Sequence, residues 1–332
     1  MKKYHIYGIG AALVDTEIQV TDQDLLDMGV EKGLMTLVDE ERQHQLSHHL
    51  DGHLVHAKLA SGGSACNSIF AASCFGANTY YSCKVADDVN GRFFLSDLET
   101  AGVDCNSQSP DGEGITGKCL VMISPDAERS MNTHLGISES LSIEQVSSDA
   151  IAKSDYVYLE GYLVTSETGK AAAIEARKSA EQAGAKTAIS LSDPGMVEFF
   201  KEGLKEMIGD RVNLVFCNEA EAMGWADSLD LDTAIDSLKE ISDTFVITLG
   251  SKGALVFDGV NLETIAAHPV NAIDTNGAGD MFAGAFLYSI SQGHSFKTAG
   301  NLASLAAAAV VSNYGPRLTK AKHRELLDSF AS

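Results

Sequence analysis

Short, β-rich apolar runs alternate with segments of helical spacing along most of the second half of the chain. Tyr156 to Glu160 reads as a strand, followed by a helix from about Ser166 to Ala183. Thr187 to Leu191 precedes a helix over Met196 to Met207, Leu214 to Cys217 precedes a helix opening at Glu219, and Phe245 to Leu249 closes the series. This alternation predicts βαβ units on a largely parallel sheet, hence an α/β fold. Two stretches depart from it, about 16–60 and 103–133, with extended runs such as Gly117 to Ile123. They are expected to form a small β-sheet inserted into the α/β body, as a lid or as a plain surface excursion. Ala278 to Gln292 and Ser295 to Asn313 are rich in Ala, Leu, Met and Phe and predict closely packed helices. With no tandem repeat, low-complexity tract or proline-rich linker, 1–332 is expected to form a single domain.

Composition removes several classes of function. There are 24 basic and 46 acidic residues, a formal charge of −22. That balance repels nucleic acid and anionic membranes, so neither is an expected partner. No apolar run approaches the ~18 residues of a membrane span, and the segment after Met1-Lys2-Lys3 is too short and too polar for a signal peptide. A cytoplasmic protein is expected. The six cysteines show no C-x-x-C spacing, which points to free thiols rather than a disulfide framework or a zinc site. If so acidic a chain binds phosphate, backbone amides, metal ions and a few placed bases must do it.

Asp274-Thr275-Asn276-Gly277-Ala278-Gly279-Asp280, followed at once by the apolar helix Met281 to Phe286, offers such a place. Gly277 and Gly279 permit a tight turn. The first helical turn then leaves backbone N–H groups free to form an anion hole under the positive end of the helix dipole. Asp280 stands where a carboxylate would take the proton of an attacking hydroxyl beside that hole. Taken alone, Asp280 would also suit a simple helix-start carboxylate, and Asp274 a turn cap.

D-T-N-G-A-G-D-x-F resembles the second signature of the ribokinase-like, or phosphofructokinase-B, family of carbohydrate kinases. Ser61-Gly62-Gly63-Ser64-Ala65-Cys66-Asn67, running into a small-residue helix, is similar to the family's first signature. Asn218-Glu219-Ala220-Glu221 looks like its N-x-x-E motif, and Thr248-Leu249-Gly250-Ser251-Lys252-Gly253 resembles its nucleotide-phosphate loop. The likeness spans essentially the whole chain. It implies a three-layer α/β/α fold with a mostly parallel sheet and a β-sheet lid, and transfer of the γ-phosphate of ATP to a primary hydroxyl of a nucleoside or sugar.

The resemblance also implies roles. Asp280 would be the base, with Gly277, Ala278 and Gly279 around the anion hole. Asp15, Gly62, Gly63 and Asn67, with Leu13 and Asn276, would hold the acceptor, the Asp15 carboxylate taking two adjacent hydroxyls. Thr248, Gly250, Gly253, Asn218 and Arg129 would meet the nucleotide, with Asn301 and Ser304 near the adenine, although Arg129 would equally suit a hairpin-tip cation. Asn218 and Glu221 would orient Mg²⁺ through its waters. The carbonyls of Asp274, Asn276, Val310, Asn313 and Gly315 correspond to a potassium loop in some relatives. Glu160-Gly161-Tyr162-Leu163-Val164-Thr165 and the Asn276 form of the signature tilt toward the adenosine kinase branch. Ala11, where that branch usually has an asparagine, leaves another nucleoside or a simple sugar open, and a catalytically silent binding protein is the alternative of another class. The branch also bears on assembly, since ribokinase-like members pair through their lids and adenosine kinase-like ones tend to be monomers.

Overall fold

The computed structural model describes residues 3–53, 55–106, 113–126 and 128–331. Positions 54, 107–112 and 127, inside the two expected insertions, lie outside the described residues. Among those described, nine strands form one sheet: β1 (Tyr4–Ile9), β5 (Thr79–Ser82), β6 (Val103–Cys105), β9 (Ser154–Glu160), β10 (Lys186–Ser190), β11 (Val212–Asn218), β12 (Ser242–Thr248), β13 (Ala254–Phe257) and β14 (Leu262–Ile265). Their order is β14-β13-β12-β11-β10-β9-β1-β5-β6, parallel from β12 through to β6, with antiparallel β13 and β14 at one edge. A second sheet, in the order β3-β8-β7-β2-β4, joins β2 (Leu13–Gln19), β3 (Met35–Leu37), β4 (Val55–Gly62), β7 (Thr116–Ile123) and β8 (Arg129–Gly136).

The large sheet reads as continuous apolar runs because helices cover both faces. In β11, Leu214, Val215, Phe216 and Cys217 are all buried. One face packs against α3 (Ser64–Phe75), α4 (Val89–Ala101), α10 (Ala278–Ser291), α11 (Phe296–Val311) and α12 (Lys320–Ala331). The other packs against α5 (Ser148–Ala152), α6 (Glu167–Ala183), α7 (Pro194–Ile208), α8 (Glu219–Ala226) and α9 (Leu231–Ile241). This is the three-layer α/β/α arrangement with a mostly parallel sheet.

Two features differ from the sequence reading. Val103–Cys105, assigned to the second insertion, is the edge strand of the large sheet, pairing with Thr79 to Tyr81; a three-residue strand carries too little pattern to be told from the loop that follows. The first insertion is not only β: it holds α1 (Asp22–Met28) and α2 (Glu40–His49). These two helices bury Leu25, Met28 and Leu46 with Ile18, Leu120 and Met122, so they cover the small sheet on the side away from the large one. No described helix is long and apolar enough to cross a membrane.

Candidate active site

A cavity of about 390 Å³ lies between the small sheet and the carboxyl ends of the parallel strands. Crevices at that end of an open α/β sheet are where ligands bind. Strand ends supply Glu160, Ser190, Asn218 and Thr248 to its floor, and the small sheet supplies Leu13, Asp15, Met35, Arg129 and Met131 to its roof.

The start of α10 forms one wall, with Asn276, Gly277, Ala278, Gly279 and Asp280 all facing the cavity. Gly277 adopts φ 73°, and a Cβ there would sit 2.4 Å from Cβ of Pro316, so only glycine makes this turn. No side chain caps the helix. Of its first amides, that of Ala278 turns back to the Thr275 carbonyl at 3.3 Å. An uncapped helix start facing a cavity suits an anion.

Asp280 is held at both oxygens: Ser64 Oγ donates to Oδ1 at 2.6 Å and Asn67 Nδ2 donates to Oδ2 at 2.9 Å. Burial pushes its carboxyl up to about 6, against the pull of those two donors and of Arg317. A carboxylate poised near neutrality beside an uncapped helix start can accept the proton of a hydroxyl while that hydroxyl's oxygen takes up a phosphoryl group.

Asp15 lies across the cavity at an irregularity in the β2–β4 pairing. It is 5% exposed, and among the described residues its Oδ1 finds no hydrogen-bond partner. Burial raises it to about 7, offset by Arg317. A buried carboxylate oxygen without a donor carries a desolvation cost that an incoming hydroxyl would relieve. Gly62 does not reach the cavity wall. Its part is spatial, since a Cβ there would fall 2.4 Å from the Asp15 oxygens.

At the other end, Asn218 closes β11 and caps α8. Its side chain accepts from Glu221 N at 2.8 Å, while Glu221 Oε2 accepts from Asn218 N at 3.0 Å and Oε1 from Asn218 Nδ2 at 2.6 Å. The N-x-x-E string is therefore also a capping box. Burial drives Glu221 to about 8, with Asp193 adding to the rise. No group of three His, Cys, Asp or Glu side chains able to hold a metal is found among the described residues. A hard cation bound by one or two protein oxygens, waters and phosphates fits this donor set.

Other expected residues lie away from the cavity. Gly250 and Gly253 shape the β12–β13 turn, Asn301 is exposed on α11, and Ser304 donates its hydroxyl to the Ala266 carbonyl at 2.8 Å. Arg129 faces the cavity, but its guanidinium pairs with the fully buried Asp274 carboxylate. Asp274 also accepts from Asn276 N at 2.8 Å and Gly315 N at 2.6 Å. The segments carrying Asp274 and Asn276, and Val310, Asn313 and Gly315, thus adjoin. The sequence reading missed Ser64, which sits inside a quoted motif, and Glu160, noted only as a branch marker. Glu160 is 1% exposed, accepts from Ala11 N at 3.2 Å and Ala65 N at 2.8 Å, and is raised to about 7 by burial.

A family model for the pfkB family of carbohydrate kinases matches residues 34–323. The chain belongs to that family. The adenosine kinase of Saccharomyces cerevisiae is 26% identical over 327 residues, covering 93% of this chain and 95% of that protein. A probable sugar kinase from Rhizobium etli CFN 42 superposes with a TM-score of 0.92 at 31% identity, covering 99% of this chain and all of that one. The adenosine kinase from Sinorhizobium meliloti gives 0.91 at 32% identity, covering 98% and 99%. This pfkB kinase has the ribokinase-like fold and is a phosphotransferase with an alcohol group as acceptor.

Proposed function

We propose that this kinase transfers the γ-phosphate of ATP to the primary hydroxyl of a nucleoside, adenosine first among them. The observation that carries the reading is one cavity holding, in order, an unpartnered buried carboxylate oxygen at Asp15, an anchored Asp280 beside an uncapped helix start, and Asn218 with Glu221. Met35, Leu37, Met131 and Leu135 on the roof give an apolar surface suited to a flat base. The likeness to two adenosine kinases points the same way.

In this reading Asp15 accepts the two ribose hydroxyls and Asn67, Leu13 and Gly63 shape their surroundings. The acceptor oxygen attacks the γ-phosphorus, its proton passes to Asp280, and the bond from phosphorus to the β–γ bridging oxygen breaks to release ADP. The helix-start amides take up the charge on the moving phosphoryl group. Thr248 and Arg129 face the donor. Asn218 and Glu221 would hold Mg²⁺ through its waters, and the ion supplies charge neutralisation on the donor phosphates. At the junction of 274–276 and 310–315, a higher rate in potassium than in tetramethylammonium salts would reveal a monovalent cation. Because α1 and α2 already cover the outer face of the small sheet, a monomer is expected on gel filtration with light scattering.

A sugar acceptor is the second reading, favoured by Ala11, which has no amide to offer a purine and whose N–H is taken by Glu160. ADP release with Mg-ATP across a panel of nucleosides and sugars decides between them. Adenosine should give the highest kcat/KM; turnover confined to free sugars would overturn the nucleoside reading.

A further inference from the structure

Arg317 follows the Gly315-Pro316 turn after α11 and does not reach the cavity wall. Its side chain is 12% exposed and every part of the guanidinium is engaged. Nε donates to Asn67 Oδ1 at 2.8 Å, Nη1 donates to Ser61 Oγ at 2.5 Å and Asp97 Oδ2 at 2.8 Å, and Nη2 lies 3.2 Å from Cys66 Sγ. The guanidinium carbon lies over the Phe70 ring, 4.2 Å from its centroid. A planar fork fixed on all these sides has one orientation.

That orientation has a consequence for Asn67. An asparagine amide carries an acceptor at one end and donors at the other. With Arg317 donating to its oxygen, Asn67 must turn its NH₂ toward Asp280, where it donates at 2.9 Å. The reverse orientation would set donor against donor at Arg317 and oxygen against carboxylate at Asp280. We propose that Arg317 is a positioning residue for phosphoryl transfer, fixing the polarity of the Asn67 amide and through it the place of the Asp280 carboxylate. The proposal rests on the reading of Asp280 as the base.

Arg317 also supplies positive charge to a crowded acidic site. The groups around Asp280 are Asp15 and Glu17 on β2, Glu160 and Tyr158 on β9, Tyr162 just beyond it, Asp97 on α4, Arg129 on β8, and Asp193 and Glu221 at the far end. Arg129 is already paired with Asp274. Among the described residues, Arg317 is therefore the cation that offsets the burial of both Asp15 and Asp280.

The test compares wild type, Arg317→Gln and Arg317→Lys in kcat, in KM for ATP, and in the ¹³C titration of the Asp280 carboxyl, assigned with Asp280→Asn. Arg317→Gln should lower kcat roughly 10- to 100-fold with KM for ATP little changed. It should also move the Asp280 titration and the acid limb of kcat upward by about one pH unit. Arg317→Lys keeps the charge but not the fork, so its titration should stay close to wild type while kcat remains low. Should Arg317→Gln fail to fold, Asp97→Asn releases the anchor of the guanidinium instead, and a smaller drop in kcat is expected. An unmoved titration with kcat within about threefold of wild type in Arg317→Gln, or in Asp97→Asn where that variant serves, overturns the proposal. If wild type releases no ADP with any acceptor, the kinase reading falls, while the titration still decides whether Arg317 acts on Asp280.

Discussion

Replacing Asp280 with asparagine separates chemistry from architecture. The new amide is isosteric, and its hydrogen bonds can be re-formed. Its oxygen can accept from Asn67 Nδ2, now at 2.9 Å from the carboxylate, and its NH₂ can turn to Ser64 Oγ, now at 2.6 Å, because a hydroxyl accepts as well as donates. What disappears is a buried negative charge. Burial raises the Asp280 carboxyl from 3.8 to about 6. Two pH units correspond to about 3 kcal/mol that ionisation costs the folded state at neutral pH. That is an upper figure, because the residue is partly open to the cavity.

The variant should therefore be more stable than wild type by up to about 3 kcal/mol at pH 8, which for a domain of this size is a few degrees in Tm. The sign fixes the pH window. A carboxyl raised in the folded state costs nothing below its unfolded value and its full amount above its folded value, so the advantage should shrink through pH 6 and vanish near pH 4. Over the same range kcat should fall by at least ~10²-fold, the scale of a lost general base, with ATP affinity retained. Melts at pH 4, 6 and 8, ADP release and calorimetric ATP titration measure the three quantities. Turnover like wild type would remove Asp280 from the chemistry, and a variant less stable than wild type at pH 8 would refute the electrostatic reasoning.

Three further outcomes follow from the same geometry. Asp15→Ala should weaken acceptor binding about 10- to 100-fold, the worth of hydrogen bonds to a charged group, and leave ATP binding unchanged by calorimetry; equal losses for both ligands would contradict its role. Glu221→Gln keeps an acceptor for the α8 cap, so the protein should fold normally while the half-saturating Mg²⁺ concentration rises about tenfold or more; an unchanged Mg²⁺ dependence would leave Asn218 and Glu221 as a helix cap alone. Burial raises Asp15 and Glu160 each to about 7, so the folded protein holds protons that the unfolded chain releases above its ordinary carboxyl values; the ligand-free Tm should accordingly be higher at pH 5.5 than at pH 8, and a Tm rising with pH across that range would contradict these shifts.

What could be read from the chain depended on how local its cause was. The glycine turn before α10, the strand end at Glu160 and the helix starts at Ser166 and Glu219 are set by neighbours a few residues away, and they stood in the sequence. The helices of the first insertion carry equally local start signals and were legible too. Thr21 and Asp24 form a capping box, and Asp39 caps α2 through Arg42 N. Roles made by tertiary contact were not. Asn67 and Asp280 meet across 213 positions and Arg317 and Asn67 across 250; nothing near Arg317 marks it, because its partners come from β4, α3 and α4. Glu160 reads as an ordinary strand end until the fold sets it beneath the Ala11 and Ala65 amides.

The loop from 274 to 280 joins two functions that its sequence presents as one string. Asp274, at its start, points away from the cavity and draws together Arg129 of the small sheet, the amide of Gly315 and the turn amide of Asn276. Asp280, six residues later, points into the cavity and is held by α3. A displacement of the small sheet that moved Arg129 would therefore pull on the residue two positions before the start of the glycine turn. Asp280 is held by Ser64 and Asn67 of α3, which begins two residues after β4 of that same sheet ends. Both ends of the 274–280 segment are thus tied to the small sheet, Asp274 through Arg129 and Asp280 through the start of α3. In the proposed reading, movement of the roof over a ligand would carry the helix-start amides and the Asp280 carboxylate together, keeping the phosphoryl group and its acceptor in register.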